Sequence, residues 1–163
     1  MTDGPPFLIR PAGPADGPAV VGLMRALATF EGLPGPDDAA GRRLIADAFG
    51  TRRRFDLLVA EVAGRVQAYA LFFETYSTFR ASPSLYLEDL FVHPDARGRG
   101  IGRAMMRELA RIAVASGCGR FEWAVLDWNE GAQRFYRSLG ATILRDWFLC
   151  RLDGDGLAAL GAP

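Results

Sequence analysis

The stretch that most restricts the fold is Leu85 to Gly102, LYLEDLFVHPDARGRGIG. Its apolar residues alternate and then run together, the pattern of a strand that becomes buried on both faces. Pro94 offers no backbone donor and ends that strand. The segment Arg97-Gly98-Arg99-Gly100-Ile101-Gly102 then places three glycines in six residues. Beyond it Ala104, Met105, Leu109, Ile112 and Ala113 recur at helical spacing. Strand, glycine loop and amphipathic helix therefore follow one another. Glycine lets the backbone turn tightly and approach a ligand closely. The free N–H groups of a helix start attract phosphate.

Two familiar phosphate loops are excluded. A Walker loop needs a lysine after its last glycine, and all 19 basic residues of this chain are arginine. The same absence excludes a lysine Schiff base. A dinucleotide fingerprint needs G-x-G-x-x-G, but counted from Gly98 the sixth place is Arg103. Glu122 lies at the distance of a ribose-binding acid, yet it falls inside a strand pattern.

The rest of the chain supplies the surroundings. Phe7 to Arg10 reads as a short strand closed by Pro11. Asp16 is placed to cap a helix that has Pro18 in its first turn and runs to about Glu31. Residues 32–36 (GLPGP) form a loop. Asp37 or Asp38 caps a second helix, stopped by Gly50. Leu57–Val62 and Val66–Tyr76 are strands joined by a turn at Ala63-Gly64-Arg65. Ser77 to Ser84 is a loop leading into the signature strand, Leu85–Val92. The long helix ends near Ser116, and Phe121–Leu126 is the next strand. After the polar Asp127-Trp128-Asn129, Ala132, Phe135, Tyr136 and Leu139 make a short helix ending at Gly140. Thr142–Leu152 reads as a last strand, and the tail to Pro163 as frayed or a short helical turn. The order β-α-α-β-β-β-α-β-α-β implies an α/β fold with a mixed, mostly antiparallel twisted sheet flanked by helices. At 163 residues this is one domain, 1–163.

A formal net charge of zero argues against nucleic acid or a membrane as partner. No apolar run has the length of a membrane span, and Thr2 to Pro6 lacks the regions of a signal peptide. Cys118 and Cys150 give no metal or disulfide framework, which implies two reduced thiols in a cytoplasmic protein and no metal. Arg52-Arg53-Arg54 and the Arg103, Arg107, Arg111 stripe read as solvated charge. His93, the one histidine, reads as a loop residue without a role.

The R-G-x-G-x-G run at 97–102 resembles the signature of the GNAT superfamily of acetyl-CoA-dependent N-acetyltransferases. YLEDLFV before it, DWNEGAQRFYRSLGA after it, and LIRPAGPAD and LATFEGL near the start resemble the diamine (spermidine/spermine) N-acetyltransferase branch. The resemblance spans roughly residues 7 to 152. It implies the GNAT fold, with the fourth and fifth strands (Leu85–Val92 and Phe121–Leu126) splayed and the thioester arm of acetyl-CoA in the gap. It implies a homodimer paired through the last strand, with Trp147, Phe148 and Leu149 as its apolar cluster. By the same resemblance the cofactor is held by Leu90, Phe91 and Val92, by Arg97, Gly98, Arg99, Gly100, Ile101, Gly102 and Arg103, and by Asn129, Glu130, Gly131, Ala132 and Tyr136.

The chemistry asks for a base, an acid and an oxyanion donor. A primary amine has a pKa near 10.4, so reaching the free base at neutral pH costs about 4 kcal/mol. The departing thiolate needs a proton, and the tetrahedral intermediate needs a hydrogen-bond donor. Glu88, flanked by Leu87 and Leu90, is a carboxylate that a strand would not bury without purpose. It matches the family glutamate thought to take the amine proton through water. Asp89 reads as a structural hydrogen-bonding group on the opposite face. Tyr136 matches the family tyrosine that faces the CoA sulfur. The resemblance implies an acceptor side formed by Phe30, Glu31, Tyr76, Phe79, Glu88, Glu122, Trp123 and Asp146. Animal polyamine enzymes carry Asp-Pro-Trp after Thr-Tyr, where this chain has Ser77-Thr78-Phe79. Fewer anions imply a shorter amine or an amino-acid amine as acceptor. The alternatives are a protein acetyltransferase acting on N-termini or lysines, and a non-catalytic acyl-CoA-binding module.

Overall fold

The computed structural model describes residues 6–162. The signal-peptide reading, Pro6 excepted, and the final Pro163 lie outside them. Five strands are present among the described residues: β1 (Phe7–Pro11), β2 (Asp56–Val62), β3 (Arg65–Ser77), β4 (Ser82–Val92) and β5 (Arg120–Trp123). They form one sheet in the order β1-β2-β3-β4-β5. The first three pairings are antiparallel and β4–β5 is parallel. The helices are α1 (Gly17–Glu31), α2 (Asp38–Phe49), α3 (Ile101–Ala115), α4 (Glu130–Arg137) and α5 (Gly154–Leu160). None of the described helices is long and apolar enough to cross a membrane.

The local signals act as their chemistry dictates. Asp37 caps α2, its Oδ1 accepting from the Ala40 amide at 2.7 Å, a bond worth about 1 kcal/mol. Asp16 stands at the start of α1 but makes no cap bond with its side chain. It accepts instead from Arg10 and from the Gly13 amide. Arg10 also binds Glu61, so this cluster ties β1 to β2 and to the entry of α1. Between β2 and β3, Ala63 and Gly64 both have positive φ, 48° and 76°. That is the combination a two-residue turn needs to match the twist of its strands.

The chain divides into two compact units, Met1–Ala124 and Val125–Pro163. In the first, strand alternation sorts the core onto two sheet faces. One face carries Leu57, Val59, Tyr69, Leu71 and Phe91, packed with Val20, Leu23 and Met24 of α1 and Ala48 of α2. The other includes Leu58 and Leu87, and α3, which packs on β4, buries Ile101, Met105 and Leu109. In the second unit α4 and α5 are the regular elements.

Two expectations are corrected. The segment read as a loop at 77–84 is mostly hairpin: β3 runs to Ser77 and β4 starts at Ser82. Ala81 closes the turn at φ 49°, a conformation nothing in an alanine announces. The expected last strand, Thr142–Leu152, is not a strand. A strand needs a neighbour to satisfy its amides, and none of the described strands pairs with this segment. Its Leu144, Trp147, Phe148 and Leu149 stand exposed. The tail forms a short helix, α5.

Candidate active site

The site is organised by a β-bulge in β4. Leu71 pairs with Asp89 and Phe72 with Leu87, so Glu88 is the extra residue. In an unbroken strand Leu85, Leu87, Asp89 and Phe91 would share a face. The bulge breaks that sequence. Asp89 and Phe91 lie opposite Leu71 and Tyr69 on the α1 face, while Leu87 lies opposite Phe72. Glu88 is exposed. The expectation of a carboxylate at risk of burial is therefore corrected: the bulge delivers it to solvent.

Asp89 is the partly buried acid. The hydroxyl of Tyr69, a residue with no exposed surface, donates to its Oδ2 at 3.0 Å. Burial pushes the Asp89 carboxyl up to about 6, the Tyr69 hydrogen bond opposes the rise, and the charges of Glu88 and Glu31 add to it. Tyr69 itself is raised, by burial first and then by Asp89, Glu31 and Glu88, and so remains a donor. Tyr86 is raised by burial and then by Glu88 and Glu122. Glu31 and Glu88 thus add their charge to that of Asp89 around the middle of β4. Such a field attracts a cation.

At the far end of β4 the preference reverses. Gly98 and Gly100 have φ of 77° and 78°. A Cβ at either would meet no atom within 4 Å, so the space over the loop is open. Gly100 precedes α3 with no side-chain cap, and no acidic residue occupies the first turn. By contrast α2 and α4 are capped by Asp37 and Asn129. The N–H groups and positive dipole end of α3 are left for an anion, which fits a pyrophosphate. Between the two regions lie Leu90, Phe91 and Val92. The parallel ladder to β5 covers only Ser84–Leu87. Beyond it no described strand pairs with β4 on that side, the opening that a splayed sheet requires.

Arg97 has a different place from its loop neighbours. Its Nε donates to the Val92 carbonyl at 2.9 Å. Its guanidinium lies 5.6 Å from the ring centre of Phe30 and 5.5 Å from that of Phe91. It joins the glycine loop to the end of α1, where Phe30 and Glu31 sit.

The second unit carries the other residues. Asn129 Oδ1 caps α4 by accepting from the Ala132 amide at 3.1 Å. Gln133 holds the preceding turn through the carbonyls of Leu126 and Asp127. Glu130 pairs with Arg134 on the α4 surface, and Gly131 is exposed. Tyr136 is half-buried, and burial pushes its phenol up to about 12. Asp146 lies in the irregular segment before α5.

Not every acceptor-side candidate gathers near Glu88. Tyr76 pairs with Pro83, five positions along β3 from Leu71, about 17 Å at the usual rise per residue. Phe79 stands fully exposed on the turn beyond it. Glu122 is paired with Arg120 at 2.9 Å, and Trp123 ends β5 against Phe121. Arg53 and Arg54 pair with Asp56 and Asp47, as a solvated charge run does. His93 Nδ1 accepts from the Asp95 amide at 3.4 Å. Cys118 and Cys150 are free. Sequence reasoning missed Tyr69. The signal was a phenol in an otherwise apolar strand, since a buried hydroxyl needs a partner.

Comparison with known proteins finds a family and a set of relatives. The protein-family model for acetyltransferase (GNAT) family matches residues 23–141. The chain is 34% identical over 164 aligned residues to a thialysine N-epsilon-acetyltransferase of Bos taurus, covering 94% of this chain and 96% of that protein. It is 31% identical to a spermidine/spermine N(1)-acetyltransferase-like protein 1 of Homo sapiens, over 93% of this chain and 23% of that longer protein. Its fold matches that of an aminoglycoside N-acetyltransferase in complex with CoA with a TM-score of 0.78, at 20% identity, covering 93% and 98% of the two chains.

Proposed function

The chain belongs to the acetyltransferase (GNAT) family and is an acetyl-CoA-dependent N-acetyltransferase of small amines, and we propose that it acts on a short diamine or amino-acid-like amine by direct attack within a ternary complex. One observation supports this reading above the others. A single strand carries a cation-attracting field at its bulge and an anion-binding helix start just past its end. An ammonium acceptor and a pyrophosphate-bearing donor are the pair such a strand would hold.

Acetyl-CoA supplies the acetyl group in activated form, as a thioester. Gly98 to Arg103 hold the pyrophosphate through backbone N–H groups, and the open edge of Leu90–Val92 binds the arm. At the start of α4 the amides of Glu130 and Ala132 are already engaged, by the Trp128 carbonyl and the Asn129 cap, which leaves the Gly131 N–H for the arm. The Oδ1 of Asn129 is engaged in its cap, which leaves its amide N–H groups for the arm. Glu88, exposed on the bulge, takes the proton of the acceptor through water, and a strand N–H serves as oxyanion donor. The Tyr136 hydroxyl, still protonated below about pH 12, supplies a proton to the departing sulfur. Phe30, Glu31 and Asp89 face the amine, with Glu122, Trp123 and Asp146 at the wider acceptor side, while Tyr76 and Phe79, at the far end of the β3–β4 hairpin, stand too far from Glu88 to reach a short amine.

Residues 1–163 act as one catalytic domain in this reading. In support, the family match at 23–141 runs across the boundary between the two units. A homodimer is part of the same proposal, because Trp147, Phe148 and Leu149 are 74–88% exposed and a patch of that kind marks an interface. Light scattering at micromolar concentration should give twice the chain mass, and a monomer mass would contradict it. Two free thiols fit a reducing, cytoplasmic setting, without nucleic acid or membrane as partner.

The acceptor class is tested with a panel of amines and acetyl-CoA, following free thiol. The panel contains short diamines, basic amino acids, spermidine and a peptide with a free N-terminus. Short diamines and amino-acid amines should have the highest kcat/KM. Preference for the peptide would overturn the small-amine reading.

A further inference from the structure

We propose that Tyr69 and Asp89 act as one positioning unit for the acceptor amine: the buried phenol holds the Asp89 carboxylate beside the bulge that presents Glu88. The inference rests on the small-amine reading and names a residue pair that sets how well the amine is held. Three observations carry it. Tyr69 has no exposed surface, so its hydroxyl cannot turn to water, and it donates to Asp89 Oδ2 at 3.0 Å. The bulge turns Asp89 to the same sheet face as Tyr69 and Phe91, instead of leaving it in register with Leu87. The groups that act on the Asp89 charge are Tyr69 from β3, Glu31 from the end of α1 and Glu88 from β4 itself, and the Arg97 guanidinium of the glycine loop lies over Phe91, the next residue on the same face.

A purely structural hydrogen bond accounts poorly for this arrangement. A core that needed only a partner for Tyr69 would be served by a neutral acceptor such as asparagine, without the burden of a buried charge. Here a carboxylate is kept where burial and two further carboxylates oppose its ionisation, and where the Tyr69 hydroxyl favours it. A cationic acceptor would relieve that opposition on binding. The tyrosine then acts through Asp89 and does not touch the acceptor itself.

The sign of the pH effect follows. Tyr69 donation lowers the Asp89 pKa against burial, so the carboxylate is charged above about pH 6. Acceptor KM should rise as pH falls through that value. Removing the hydroxyl lets the pKa climb further, which moves the same limb toward neutral pH. For stability the direction is opposite. The folded pKa lies above the unfolded one, so the folded state binds more protons between about pH 4 and 6 and loses stability as pH rises through that window.

Tyr69→Phe should raise acceptor KM about tenfold at pH 7, with the KM–pH limb at higher pH and acetyl-CoA KM within about twofold of wild type. Asp89→Asn should raise acceptor KM at least as much, while its melting temperature stays equal to wild type or higher. Unchanged acceptor KM in folded Asp89→Asn would overturn the unit, because a structural partner alone would behave that way. If Tyr69→Phe fails to fold, Asp89→Asn decides. A readout free of turnover separates this proposal from the proposed function. The Asp89 carboxyl carbon is titrated by NMR with and without ethylenediamine, in wild type and Tyr69→Phe. The amine should lower the Asp89 pKa, and the variant should raise it. Titrations that coincide overturn the pair, whereas failure to acetylate any amine overturns the functional reading.

Discussion

Gly100→Leu is expected to weaken CoA binding at least about a hundredfold while the protein stays folded. The fold tolerates the change because a Cβ at Gly100 meets nothing within 4 Å. A φ of 78° costs an L-residue only about 1–2 kcal/mol, against a typical stability of about 5–15 kcal/mol. In the proposed site the open space is where the pyrophosphate would approach. Filling it removes two or more charge-assisted N–H bonds of about 1.5–3 kcal/mol each. Gly64→Ala is the matching control, since Gly64 has a φ of 76° in the β2–β3 turn, outside the glycine loop. It carries the same backbone strain and should leave CoA affinity unchanged. Calorimetry with CoA and a melting curve for both variants give the comparison. Unchanged affinity in folded Gly100→Leu contradicts a pyrophosphate at this helix start.

Glu88→Gln and Tyr136→Phe should fail in different ways. Glu88→Gln keeps the shape of an exposed side chain and removes the base, so kcat/KM should fall about a hundredfold to a thousandfold at pH 7. The free-amine fraction rises with pH until the amine's own pKa, near 10.4. The loss should therefore shrink as pH climbs toward that value. Tyr136 stays protonated until about pH 12, so its donor role persists across the accessible range. Tyr136→Phe removes the donor at every pH, and high pH should bring no comparable recovery. CoA affinity should remain near wild type in both. A pH–rate profile of kcat/KM for the three proteins checks this. A Glu88→Gln profile parallel to wild type would make that carboxylate structural.

The parts legible in the sequence were those whose chemistry is local. Gly98 and Gly100 announce positive φ, because other residues avoid it. Asp37, Gly32 and the Ala63-Gly64 turn announce element ends in the same way. The strand–loop–helix unit at 85–115 could be read whole, and with it the glycine-led, uncapped start of α3. What could not be read depends on register. The bulge at Glu88 is invisible in YLEDLFV, since alternation and a one-residue insertion produce the same letters. Without the bulge the reading predicted a carboxylate at risk of burial at 88; it gave Asp89 a structural hydrogen bond, which the structure shows, but could not name Tyr69 as the partner. The Tyr69–Asp89 bond spans twenty residues of sequence and exists only once β3 and β4 are aligned. Thr142–Leu152 has the composition of a strand, yet a strand requires a neighbour that sequence composition does not name.

The most direct test of direct acetyl transfer is an initial-rate study with one accepted amine and acetyl-CoA both varied, together with the mass of the product. A ternary complex predicts intersecting double-reciprocal lines, one thiol released per N-acetylated amine, and no acetyl group on the protein before the amine is added. Parallel lines with an acetylated protein, or thiol release without N-acetylated product, would contradict the mechanism.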